Sequence, residues 1–187
     1  MLFRSAALGA AALRGARPRL SRTRVSAITD EMAATQSEAV RLAREFGFVG
    51  VELRNVPETG KPFAALSEPE LKRWATELTS NKLKVSALHV PAGASANPAV
   101  AILGAAAIWD ATMAGAWTPG VDWREAWRKL PRGHIVSVRV PAASLDHLAW
   151  KGILEMLQKD SYAGTFVVEP GTGESIRQFI HLIRPDR

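Results

Sequence analysis

The chain has 187 residues, 47% of them hydrophobic, with no cysteine, 24 basic and 18 acidic residues, and a formal net charge of +6. That length and apolar content suit one domain with a real core, and the lack of cysteine excludes disulfides, thiolate catalysis and cysteine-based zinc sites. Arg4, Arg14, Arg17, Arg19, Arg22 and Arg24 account for the whole charge excess, since eighteen bases meet eighteen acids from residue 25 onward. The domain therefore lacks the basic stripe of a nucleic-acid binder.

Residues 1–24 read as an Arg-rich leader, expected to be disordered or cleaved, with the domain spanning 25–187. Ser5 to Leu13 has the length of a signal-peptide core, but Arg14 follows at once and no small-x-small cleavage site appears. An acid-free, Arg-rich leader is equally the pattern of an organelle transit peptide. A cytoplasmic location is expected, or an exported one if the leader is functional. No apolar run approaches the ~20 residues that span a bilayer, so no membrane partner is expected.

Short apolar runs then alternate with amphipathic stretches. Val25 to Thr29 reads as a strand, and Thr35 to Phe46 as a helix carrying Ala39, Leu42, Ala43 and Phe46 at helical spacing. Val49 to Leu53 is a second strand after Gly47. A polar loop, Asn55 to Leu66, leads to a helix opened by Ser67 with Glu70 three residues on, a capping box, and striped by Leu71, Trp74, Ala75 and Leu78. Lys84 to Val90 is the third strand, and Pro98 to Leu103 a short helix. Ala105 to Asp110 reads as a fourth strand, Asp122 to Lys129 as a Trp-bearing helix, and Ile135 to Val140 as a fifth strand. Leu148 to Gln158, Thr165 to Glu169 and Ser175 to Ile183 follow as helix, strand and helix. Six strand–helix repeats with short connections predict a parallel sheet with right-handed crossovers.

Two strands end in carboxylates, at Asp110 and Glu169. In a β/α protein such positions face the ligand crevice. Two acids there are the material of a hard-cation site or of acid–base chemistry, or else each caps its own turn. Glu52 and Arg54 close the second strand, where Arg54 is suited to hold a phosphate or carboxylate and the bland alternative is a solvated pair of charges. Asp30 and Glu31 close the first strand in the same manner. His89 ends the third strand, as a wall residue or a ligand. Trp109, beside Asp110, suits either stacking on a sugar or plain packing. Trp74, Trp127 and Trp150 lie on helix stripes and belong to the core.

The run Ser26 to Glu31, the stretch from Ala39 ending in Gly50-Val51-Glu52-Leu53-Arg54, and Leu83 to Leu88 resemble the first three units of the xylose-isomerase-like TIM-barrel family. Ile108-Trp109-Asp110, Ile135 to Val140 and Phe166 to Pro170 are similar to its last three. The resemblance implies a sugar (phosphate) isomerase or epimerase with a divalent metal, Mn or Mg, a sugar or sugar phosphate as ligand, and enediolate chemistry. It implies Asp110 and Glu169 as metal ligands, with Glu169 also moving the proton. Glu52, Arg54, His89, Trp109 and Arg139 would line the substrate pocket.

Two departures weigh against catalysis. The family's metal-binding histidine falls on Arg139, and its first glutamate has no counterpart. A guanidinium has no acceptor and stays protonated, so it repels a cation. Arg139 is expected to pair with Asp110 or Glu169 in the metal's place. Beyond the leader 163 residues remain, whereas eight units take about 250. The expected fold is thus an incomplete TIM (β/α) barrel of about six units, either an open C-shaped sheet with two edges prone to self-association or a smaller closure. The alternative function is a metal-free, inactive remnant acting at most as a binding or interaction domain.

Overall fold

A computed structural model describes residues 24–91, 97–108, 122–128 and 137–183. The expected leader up to residue 23 and the expected site residues Trp109 and Asp110 lie outside that range. The chain is a mixed α/β protein with parallel sheets. Its elements run β1 (Val25–Ser26), α1 (Thr29–Met32), α2 (Gln36–Glu45), β2 (Gly50–Leu53), α3 (Glu68–Ser80), β3 (Lys84–His89), α4 (Pro98–Leu103), β4 (Ala106–Ile108), α5 (Trp123–Arg128), β5 (Ser137–Pro141), α6 (Trp150–Lys159), β6 (Thr165–Glu169) and α7 (Gly173–Ile183). Among the described residues no helix is long and apolar enough to cross a membrane.

The strands form two parallel three-stranded ladders, β5–β6–β1 and β2–β3–β4. A parallel bridge between Ile28 and Glu52 joins them, and the Glu52 amide donates to the Ala27 carbonyl at 3.0 Å. The lateral order is therefore β5, β6, β1, β2, β3, β4. Among the described residues no ladder joins β4 to β5.

Period-two alternation gives the sheet two different faces. Val25, Ala27, Val51, Leu53, Val138, Val140, Phe166 and Val168 are all buried in the hydrophobic core. They pack beneath the helices with Trp150, Ile153, Leu157, Ile176 and Phe179. Trp150 meets Phe179 edge-on at 5.0 Å, an arrangement that adds to plain area burial. Trp74 and Trp127 are buried too, as their helix stripes predict. The opposite face carries Ser26, Ile28, Glu52, Arg139 and Val167, all buried. On it the Ser26 hydroxyl donates to the Gly50 carbonyl at 3.2 Å and meets the Ser86 hydroxyl at 2.9 Å. A Cβ at Gly50 would come within 3.2 Å of the Ser86 Cβ, so this close strand approach calls for glycine.

Local chemistry explains where boundaries moved. The first strand is shorter than its apolar run, because Thr29 to Met32 turns into a helix with Asp30 and Glu31 in its first turn, where the helix dipole favours acids. At α3 the Glu70 carboxylate accepts from the Ser67 amide at 2.7 Å and from its hydroxyl at 2.6 Å, as the capping spacing predicts. Residue 24, where the expected leader ends, is bonded to the domain. Its guanidinium donates to the Gly164 carbonyl at 3.1 and 3.0 Å and lies 5.3 Å from the Tyr162 ring. Burial pushes the Tyr162 phenol above its ordinary range, opposed by the nearby Arg24 charge.

Candidate functional site

Two arginine–carboxylate clusters occupy the carboxyl ends of the strands. The deeper one forms on the sheet's inner face. Arg139, in the middle of β5, extends its Nη2 to Glu52 Oε1 on β2 and stands 2.8 Å from His89 Nε2 at the end of β3. His89 Nε2 also touches Glu52 Oε1. β5 and β2 are three strands apart, roughly 14 Å in a flat sheet, which no arginine spans. The sheet is therefore curled, with this face inward.

The Glu52 and Arg139 side chains are 0% and 2% exposed, whereas that of His89 is 27% exposed. Sequestering two charges is costly, and their attraction compensates only when every remaining polar atom is bonded. Here that condition fails: Glu52 Oε2 and Arg139 Nη1 are buried without hydrogen-bond partners. Such groups cost about 1–3 kcal/mol each.

The shallower cluster spans the ends of β1, β2 and β6. Arg54 donates from Nε and Nη2 to Asp30 Oδ2 at 3.1 and 3.0 Å, and from Nη1 to Glu31 Oε1 at 2.9 Å. Asn55 adds its side-chain amide to Asp30 Oδ2 at 3.1 Å, and the Gly171 amide donates to Glu31 Oε2 at 2.8 Å. Glu169 Oε1 stands 3.8 Å from Arg54 Nη1. Desolvation acts to lower the Arg54 pKa, but Asp30 and Glu31 together outweigh it and hold the guanidinium above its usual value.

The structure thus brings Glu52, His89 and Arg139 together, and separately Arg54 with Glu169. Among the described residues the carboxylate that meets Arg139 is Glu52 and not the expected Glu169, while Asp110, the other expected partner, lies outside them. The reason is register: Arg139 pairs with Val167, two residues short of Glu169, and points across the curl to β2. Arg54, expected to be open to a phosphate or carboxylate ligand, is engaged by the chain's own acids. Asp30 and Glu31 are first-turn residues of α1, and both also hold Arg54. Sequence reasoning missed these partnerships, although opposite charges at the ends of neighbouring strands are a readable signal. His147 and His181 are exposed, on a 3-10 turn and on α7 respectively. His134, like Asp110, lies outside the described residues.

Of the ligand set implied for a divalent metal, Glu169 is the described member, and its Oε1 stands 3.8 Å from the Arg54 guanidinium. Among the described residues no group of three or more His, Asp or Glu side chains is placed to hold a metal ion. Asp110, the other ligand that the resemblance implies, lies outside the described residues. In comparisons with protein-family models, characterised proteins and solved structures, none matches this chain.

Proposed function

We propose that this chain is an incomplete, six-unit (β/α) barrel of the xylose-isomerase-like kind. In this reading its strand-end crevice binds a small hydroxylated molecule, a sugar or sugar phosphate, without resident metal chemistry. The observation that carries the reading is the buried Arg139–Glu52 pair. It puts a permanent cation on the inner face, where the family's metal would need an open electron-pair donor. Strand order and curl support a barrel: β6 lies beside β1, as the last and first strands of a barrel do.

Isothermal calorimetry of the full chain with MnCl2 and with D-xylose tests this. The expected result is no manganese binding at millimolar concentration, together with measurable sugar binding. A micromolar manganese site would overturn the metal-free reading. Absence of sugar and sugar-phosphate binding would overturn the ligand.

A second reading, metal-dependent aldose–ketose isomerisation or epimerisation, is favoured by one feature. Glu169 is 34% exposed at its strand end, and among the described residues its ion-pair contact is a long one to Arg54, which favours a carboxylate open to a cation. Asp110 and Glu169 would be the ligands in that case. Loss of any manganese site in Asp110→Asn and Glu169→Gln would identify it.

A further inference from the structure

We infer that Arg139, Glu52 and His89 form a proton-driven switch: when the His89 ring takes up a proton, the Arg139 guanidinium turns away from it and grips both oxygens of Glu52. The switch is independent of the proposed binding role and of whichever ligand the crevice takes.

No neutral form of the His89 ring satisfies both of its neighbours. His89 Nε2 stands 2.8 Å from Arg139 Nη2, a donor, and also touches Glu52 Oε1, an acceptor. With hydrogen on Nδ1, Nε2 accepts from Arg139 and its lone pair opposes the carboxylate. With hydrogen on Nε2, it donates to Glu52 and that hydrogen opposes the guanidinium. Either tautomer leaves one neighbour unmatched, so the switch works from both. The doubly protonated ring carries Nε2–H and a positive charge, and it therefore keeps Glu52 and repels Arg139.

The same cluster holds the second arrangement in reserve. Glu52 Oε2 and Arg139 Nη1 are buried without hydrogen-bond partners. They are the sister atoms of Oε1 and Nη2, which already touch. Guanidinium and carboxylate bond best through two parallel contacts. A turn of the Arg139 head group that carries Nη2 off the ring brings Nη1 to Oε2. Oε1, with two lone pairs, then serves His89 and Nη2 together. Matching the two orphaned atoms offsets part of the cost of a second positive charge in a buried place.

Protons reach the trio from one side. The His89 side chain is 27% exposed, against 0% for Glu52 and 2% for Arg139. Among the described residues the charged groups facing His89 are Glu52 on β2 and Arg139 on β5, while β4 places Ile108 in register with it. Asp110, two positions beyond Ile108, lies outside the described residues and serves as a control.

Side-chain 15N resonances of the labelled full chain, followed from about pH 8 to about pH 5, where an imidazole titrates, provide the test. His89 should titrate in that range. The Arg139 guanidinium nitrogens should shift with it, at the same midpoint and with the slope of one proton. His89→Gln keeps one donor and one acceptor at this partly exposed position, and should leave the Arg139 nitrogens unchanged across the range. Asp110→Asn should leave the coupled titration in place. An Arg139 signal that stays fixed while His89 titrates, or a His89 ring that does not titrate there, would overturn the inference. So would an Arg139 shift that survives His89→Gln or vanishes in Asp110→Asn. Each of these outcomes leaves the calorimetric test of sugar binding, and the proposed function with it, to stand or fall separately.

Discussion

Two arginines serve the same curled sheet in opposite ways. Arg54 sits at the rim, 33% exposed, with each of its hydrogen-bonding nitrogens directed at Asp30 or Glu31. Arg139 is sealed on the inner face, with one terminal nitrogen and one Glu52 oxygen unpaired. The rim cluster is well bonded but screened by water. The inner pair is dry, so its attraction is strong and each missing partner is costly. Position, more than the count of ion pairs, decides what each one does.

That contrast can be broken or sharpened by mutation. The largest expected effect is that of Arg139→Met, which strands the Glu52 charge and should cost about 3–5 kcal/mol in urea unfolding. Combining it with Glu52→Leu removes both charges and should recover most of that loss. A double variant as unstable as the single one would show that packing, not charge, sets the cost. Arg54→Met should cost only about 1 kcal/mol, because solvent screens its partners. Its penalty should shrink in high salt, while that of Arg139→Met should not. Arg41→Ala, which breaks fully exposed pairs to Glu38 and Glu45 on α2, should cost about 0.3 kcal/mol and sets the baseline.

The alternation of strands and helices was legible along the chain because each apolar run and stripe has the period its element requires. Ser67 with Glu70, and the three stripe tryptophans, needed no long-range knowledge. The partnership of Arg139 was not legible in the same way. It depends on how tightly the sheet curls and on which of five acids at the strand ends lies across the gap, and neither is written in local periodicity. The first strand, read as Val25 to Thr29, ends at Ser26, and Thr29 opens a helix, since a short apolar run such as Ala27-Ile28 does not mark its own end. Asp110 stands as an expectation, outside the described residues.

The clasp made by Arg24 has a practical corollary for how far the front of the polypeptide can be trimmed. A protease that cuts after Arg22 leaves this side chain seated on the carbonyls of Tyr162 and Gly164. One that cuts after Arg24 severs the seated residue from β1 and uncovers two aromatic rings, Tyr162 and Phe166, at the foot of β6. The last of the six leading arginines is thus a cornerstone of the folded body, and no start beyond Arg24 keeps it.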